Sequence, residues 1–140
     1  MQYTASLYYK VDGSDLSRAG EAAACVKKEM RQLGIDPDIM RRVAIAMYEG
    51  EINMVIHANG GEAFVEITPE KIKMKLVDKG PGIADIPLAM SAGHSTADDE
   101  ARRLGFGAGM GLPNMKNYTD ELQVTSEVGK GTCVEMAVNL

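Results

Sequence analysis

Three polar residues recur every fourth position along one apolar stretch of the chain: Glu49, Asn53 and His57. At about 100° per helical residue, a step of four turns the helix by about 40°, so the three form one stripe. Much of the remaining surface is apolar, with Val43, Met47 and Met54 on one side and Ile45, Ile52 and Ile56 on the other. A helix apolar on several sides is a central one. A carboxylate and an amide in such a place need partners. Two uses fit. The stripe faces a solvated edge or caps a neighbouring loop, or it serves a metal and a phosphate. In the second use Asn53 gives its amide oxygen to magnesium, a hard ion that keeps several waters and needs only one or two oxygen side chains beside phosphate oxygens. Glu49, one turn away, polarises an attacking hydroxyl or water. Glu51 lies roughly 160° from Asn53 and makes a poor alternative ligand. Gly50, which costs about 1 kcal/mol in a helix interior, implies close packing.

A second group is Val77-Asp78-Lys79-Gly80-Pro81-Gly82, at the end of an apolar run. A strand-end aspartate can receive an amino group at a pocket floor, and glycines let backbone approach a flat ring. The same residues also make an ordinary turn. A third group is Gly105-Phe106-Gly107-Ala108-Gly109-Met110-Gly111-Leu112, with four alternating glycines before a predicted helix. Free amides at the positive end of a helix dipole bind phosphate. Flexible linkers are usually Ser/Gly-rich and polar, whereas this run carries Phe106, Ala108, Met110 and Leu112. The chain has no GxxxxGK loop followed by Ser or Thr, no GxGxxG in register, and no HRD or DFG of the eukaryotic-type kinases. A nucleotide would have to bind on some other scaffold.

The elements that must position these groups can be read from periodicity and breakers. Residues 3–11 suit a strand. Ser14 or Asp15 is expected to cap a helix running to about Leu33, closed by Gly34. Asp36-Pro37 opens a second helix to about Ala58, and Asn59-Gly60-Gly61 reads as a stop and a turn. Strands are predicted at 62–68 and 71–78. Residues 79–111 hold seven glycines and read as a nucleotide lid with a short helix near 85–92. A helix from about Leu112 and strands at 121–127 and 132–139 complete the chain. Strands joined by tight turns are antiparallel, so the order predicts an α+β two-layer sandwich, its sheet mixed and mostly antiparallel, with helices on one face.

Bulk properties narrow the function further. The chain has 140 residues, 45% hydrophobic and 25% charged, the balance of one globular domain over 1–140. A net charge of -5 argues against a general nucleic-acid binder and against an anionic-membrane binder. Cys25 and Cys133 have neither CxxC nor zinc spacing and suit a reducing cytoplasm. The start lacks the pattern of a signal peptide, and no apolar run approaches the roughly 18 residues of a membrane span.

Taken together, these residues resemble the GHKL ATPases. An acidic residue with Asn four positions later matches that superfamily's N-box at Glu49-Gly50-Glu51-Ile52-Asn53. Its DxGxG box matches Asp78 to Gly82, its second glycine box matches 105–111, and its GxGT strand entry matches Gly129 to Thr132. Gly50 and Glu51 depart from the larger apolar or neutral residues expected inside the N-box. The whole chain is similar to the short anti-sigma-factor and stressosome switch kinases, especially at 86–97 and 107–116. The resemblance implies a histidine-kinase-like ATPase fold, ATP and Mg2+ as cofactors, and transfer of the γ-phosphate to Ser or Thr of a STAS-domain partner. It implies that Asp78 contacts the adenine amino group with Thr132 nearby, and that Gly80 and Gly82 shape that pocket. It further implies that Gly105, Gly107, Gly109, Gly111 and Leu112 surround the phosphates, that Asn53 holds the metal, and that Glu49 is the base. An alternative is a non-catalytic module that uses ATP to bind a sigma factor or other regulator. A homodimer is compatible with either.

Overall fold

A computed structural model describes residues 4–14, 18–83 and 111–140. The elements run β1 (Ala5–Asp12), α1 (Glu21–Gln32), α2 (Pro37–Ala58), β2 (Gly60–Ile67), β3 (Lys71–Val77), α3 (Gly111–Tyr118), β4 (Glu121–Glu127) and β5 (Gly131–Asn139). The five strands form one sheet in the order β1-β2-β3-β5-β4. Every adjacent pair is antiparallel, so the described sheet contains no parallel pairing.

Alternation decides which face of the sheet is covered. Val11, Ala63, Val65, Ile67, Ile72, Met74, Leu76, Val134, Met136 and Val138 are buried, and they pack with Val26 and Met30 of α1, Val43, Met47 and Met54 of α2, and Met115 of α3. The other face carries Tyr8, Phe64, Glu66, Lys73, Lys75 and Glu135, all exposed. A period of two along the strands therefore gives one apolar side, and the helices cover it. This is the α+β two-layer arrangement the element order predicts.

Helix α2 is the central helix, packing on α1, α3 and four of the strands. Its start follows the local signal: the Asp36 side chain accepts from the Asp38 amide and Pro37 occupies the first turn. Its end is Asn59, in the left-handed conformation at φ 58°. Strand β2 then begins immediately, at Gly60, where the sequence suggested a turn through Gly61. Gly60 has φ 102° and pairs with Asp12. Glycine here serves a close approach, since a Cβ at Gly60 would lie 2.2 Å from the Val11 carbonyl oxygen.

Helix α1 departs further from the sequence reading. It begins at Glu21 and its N-cap is Gly20 with no side-chain cap of its own, so Ser14 does not cap it, and the expected alternative at Asp15 lies outside the described residues. The Ser14 amide instead donates to Asp12 Oδ1 in a local turn. The first amides of α1 are satisfied from α2: Glu51 accepts from Gly20 and Ala22 at Oε2 and from Ala23 at Oε1, at 3.0, 3.1 and 3.0 Å. Glu51 is only 2% exposed. A carboxylate at the positive end of a helix is stabilised by the dipole and by the amides it relieves. Both departures from the expected N-box follow from this packing. Glu51 turns away from the polar stripe to hold α1, and Gly50 lets α2 lie on the sheet, because a Cβ there would meet Leu76 Cδ2 at 2.8 Å.

The predicted short helix at 85–92 and most of the predicted lid, 84–110, lie outside the described residues. Among the described residues, no helix is long and apolar enough to cross a membrane.

Candidate functional site

The insertion of β5 between β3 and β4 creates the site. It lays the end of β3 against the start of β5, pairing Val77 with Cys133. One residue further on, Asp78 and Thr132 form a closed unit. The Asp78 amide donates to the Thr132 carbonyl at 2.9 Å, and the Thr132 amide returns to Asp78 Oδ1 at 3.1 Å. Oδ1 also accepts from the Gly80 amide at 3.0 Å. Asp78 Oδ2 accepts nothing among the described residues. A carboxylate with one oxygen held by backbone and the other open is a fixed acceptor.

The turn after Asp78 fits against two neighbours. A Cβ at Gly80 would sit 2.5 Å from Ala58 Cβ, so this glycine lets the turn rest on the end of α2. Gly82 has φ 79°, and a Cβ there would meet the Glu127 carbonyl oxygen at 2.5 Å. The turn and the β4–β5 hairpin are stitched together by Gly129 N–H to the Pro81 carbonyl, 2.9 Å, and Ile83 N–H to Ser126 Oγ, 2.6 Å. Ser126 Oγ also lies 3.1 Å from the Gly131 carbonyl and 2.9 Å from Thr132 Oγ1. The structure thus brings Asp78, Gly80, Gly82 and Thr132 into one cluster.

The polar stripe of α2 runs past this cluster. His57 is at the near end: burial lowers its pKa from the ordinary value, and the Asp78 charge opposes that shift. Asn53 is half-buried, and its side-chain amide makes no hydrogen bond among the described residues. Glu49 is at the far end, roughly 12 Å along the axis from His57. Its Oε1 accepts from Asn114 Nδ2 of α3 at 3.2 Å. Burial pushes the Glu49 carboxyl above the usual range, and the Asn114 bond pulls it part of the way back. Partial desolvation with one neutral donor is a suitable setting for a general base.

The stripe therefore links the Asp78–Thr132 cluster at one end to α3 at the other. Gly111 is the first residue of α3. Leu112 buries its side chain in the core at 5% exposure, which leaves only its first-turn amide for a phosphate. Gly105, Gly107 and Gly109 lie outside the described residues. The donor set on this face, one free amide and one carboxylate a turn apart, suits a magnesium ion completed by phosphate and water. The acceptor at Asp78 suits an amino-bearing ring.

Asn114 and Ser126 did not emerge from the sequence. Nothing in the spacing of Asn114 announces that α3 crosses α2 at Glu49. Ser126 had a usable signal, since the tight turn at Gly129-Lys130-Gly131 places it opposite Thr132 in the hairpin.

Fold and site define an ATPase domain built on an open antiparallel sheet. The chain belongs to the histidine kinase-like ATPase domain family, whose profile matches residues 13–138. It is 35% identical over 109 residues to an anti-sigma F factor of Caldanaerobacter subterraneus subsp. tengcongensis, covering 73% of each chain. It is 31% identical over 109 residues to the serine/threonine-protein kinase RsbT of Bacillus subtilis, covering 75% of this chain and 76% of the kinase. An anti-sigma F factor of Clostridium beijerinckii is 32% identical over 119 residues, covering 81% and 80%.

Proposed function

We propose that the chain is a partner-switching protein-serine/threonine kinase that binds Mg-ATP and phosphorylates Ser or Thr of a STAS-domain partner. The observation that carries this reading is the β3–β5 junction: it holds Asp78 through Oδ1, leaves Oδ2 without a partner among the described residues, and lies against the end of the helix that bears Asn53 and Glu49. In this reading Asp78 takes the adenine amino group, Thr132 lies beside it, and Gly80 and Gly82 admit the ring. Gly105, Gly107, Gly109, Gly111 and the Leu112 amide hold the phosphates, and Asn53 holds the metal.

Bound Mg-ATP supplies the transferable phosphoryl group and neutralises its charge. The chain's own residues position and deprotonate the acceptor. Asn114 occupies Glu49 Oε1, so Oε2 is the atom left to take the proton of the attacking hydroxyl. The raised carboxyl pKa brings the proton affinity of Glu49 closer to what a base working near neutrality needs. Incubation with labelled ATP and candidate STAS-domain proteins is the test: label on a Ser or Thr of one of them supports the reading.

The name anti-sigma F factor on several relatives favours a second reading, in which the ATP-bound chain binds a sigma factor without phosphorylating it. Mg-ATP binding with sigma-factor capture and no labelled product selects that reading. Absence of any Mg-ATP heat or thermal shift at several millimolar refutes both. Either reading accommodates a homodimer, which equilibrium sedimentation with and without Mg-ATP examines.

A further inference from the structure

Helices α2 and α3 lie against each other, and side chains of α2 reach α3 at two places. At the end of α3, Arg42 Nε donates to the Tyr118 carbonyl at 3.2 Å, and Arg42 Nη2 reaches Asp120 Oδ1 at 3.2 Å. Near its start, Asn114 Nδ2 donates to Glu49 Oε1 at 3.2 Å. Arg42 and Glu49 are seven residues apart, two turns of α2, so they share a face. The seat of α3 does not need the second contact. Leu112 and Met115 are buried in the core, and Arg42 already holds the last carbonyl of the helix. What the second contact changes is Glu49. Its side chain is half-buried and has three rotatable bonds, and among the described residues Asn114 is its one hydrogen-bond donor. Nearby charged groups are engaged elsewhere or exposed. Arg42 is taken by Tyr118 and Asp120, Glu51 caps α1, and Lys116 of α3 is exposed. The Tyr48 hydroxyl, whose pKa burial and the Glu49 charge both raise, stays neutral. Burial therefore raises the Glu49 carboxyl, and Asn114 is what opposes it.

We propose that Asn114 is a positioning residue for phosphotransfer: anchored on α3, it takes Glu49 Oε1, fixes the torsions of that side chain, and leaves Oε2 to the acceptor hydroxyl. This rests on the reading of Glu49 as the base. In the transfer, Glu49 Oε2 takes the hydroxyl proton while the hydroxyl oxygen bonds to the γ-phosphorus, and ADP leaves with the bridging oxygen and its electron pair. The donor suits the task because it is neutral. A cation beside Glu49 would hold the carboxylate ionised and spoil it as a base, whereas no donor at all would let burial protonate it or let it swing away. An amide keeps it charged and in place while leaving its proton affinity high. The placement matters as well. Asn114 is the fourth residue of α3, within a turn of the amides that the same reading gives to the phosphates. One helix thus sets the distance between the base and the group transferred, and that distance governs the rate steeply.

The test uses Asn114→Leu, which keeps a similar shape and removes the donor. In the full chain without nucleotide, the Glu49 carboxyl followed by carbon NMR should titrate at higher pH in the variant than in wild type, because burial is then unopposed. With labelled ATP and a STAS-domain protein that wild type phosphorylates, the variant should lower kcat about tenfold, the scale of one hydrogen bond to a charged group, and leave the Kd of Mg-ATP unchanged. In a Glu49→Gln background the same substitution should lower kcat no further, since the group it positions is gone. A packing role predicts an unshifted titration and an equal loss of kcat in both backgrounds, and either result overturns the proposal. If Asn114→Leu does not fold, Asn114→Ala decides by the same readouts. Failure of the base reading looks different. Transfer by Glu49→Gln at the wild-type rate, or no transfer by wild type, removes the base and the Asn114 role with it. An unshifted titration beside an inactive Glu49→Gln removes the Asn114 role alone.

Discussion

Glu51→Ala tests how α1 is held. The Glu51 carboxylate is the common acceptor of three amides at the start of α1. The alanine variant leaves those donors without it. Ala22 and Ala23 are each only 5% exposed, so water reaches their amides poorly, whereas Gly20 is half-buried and can be rehydrated. Two orphaned buried donors cost about 1–3 kcal/mol each. Removing a buried carboxylate gives some of this back, because its own desolvation opposes folding. The net loss is about 3 kcal/mol. For a domain of this size that lowers Tm by roughly 10 °C. In urea it moves the midpoint down by about 1–3 M with an unchanged slope. Glu51→Gln keeps one acceptor oxygen but turns an N–H toward the amides, so it should fall between alanine and wild type. Glu21→Ala, on the exposed partner of Arg18, is the control and should stay within about 0.5 kcal/mol. The capping account is refuted if Glu51→Ala also falls within that margin, or if Glu51→Gln unfolds together with wild type.

Glu49→Gln should keep nucleotide binding while slowing phosphotransfer roughly 100-fold or more; transfer at the wild-type rate would remove Glu49 as base. Because burial raises the Glu49 carboxyl in the folded chain, its contribution to stability is fullest below the unfolded carboxyl pKa and is lost as pH rises through the folded value. Glu49→Gln should accordingly unfold at a higher temperature than wild type at neutral pH, with the gain shrinking as the solution is acidified; a gain that grows toward acid would contradict the raised pKa. Asn53→Ala should weaken ATP binding in magnesium and leave the weaker magnesium-free binding unchanged, as titrations with and without chelator will show. Gly131 has φ 132°, and a Cβ there would lie 2.1 Å from the Asp78 carbonyl oxygen, so Gly131→Ala should cost on the order of 2–4 kcal/mol and weaken ATP binding; denaturation at wild-type urea concentration would show that this junction is not tight.

Much of this protein follows from local chemistry and is legible in the chain alone. Asp36-Pro37 and Asn59 bound α2 because capping and left-handed preference act within a few residues. Strands β3 to β5 show their edges because apolar alternation and Gly/Pro breakers are local too, whereas β2 starts two residues before its expected edge. The stripe of Glu49, Asn53 and His57 follows from helical geometry, and the order of the boxes carried the family. What the chain could not disclose depends on contacts between distant segments. The start of α1 was misplaced because its cap is Glu51, 28 or more residues away, while Ser14 turns to Asp12. The roles of Gly50 and Glu51 needed the packing of α2 between α1 and the sheet. The pairing of β3 with β5 skips over α3 and β4, and that crossover sets Asp78 against Thr132 and Ser126 against Ile83, while the packing of α3 on α2 sets Asn114 against Glu49. Periodicity tells a residue which face it shares with its neighbours in sequence; which residue stands opposite is decided when the layers close.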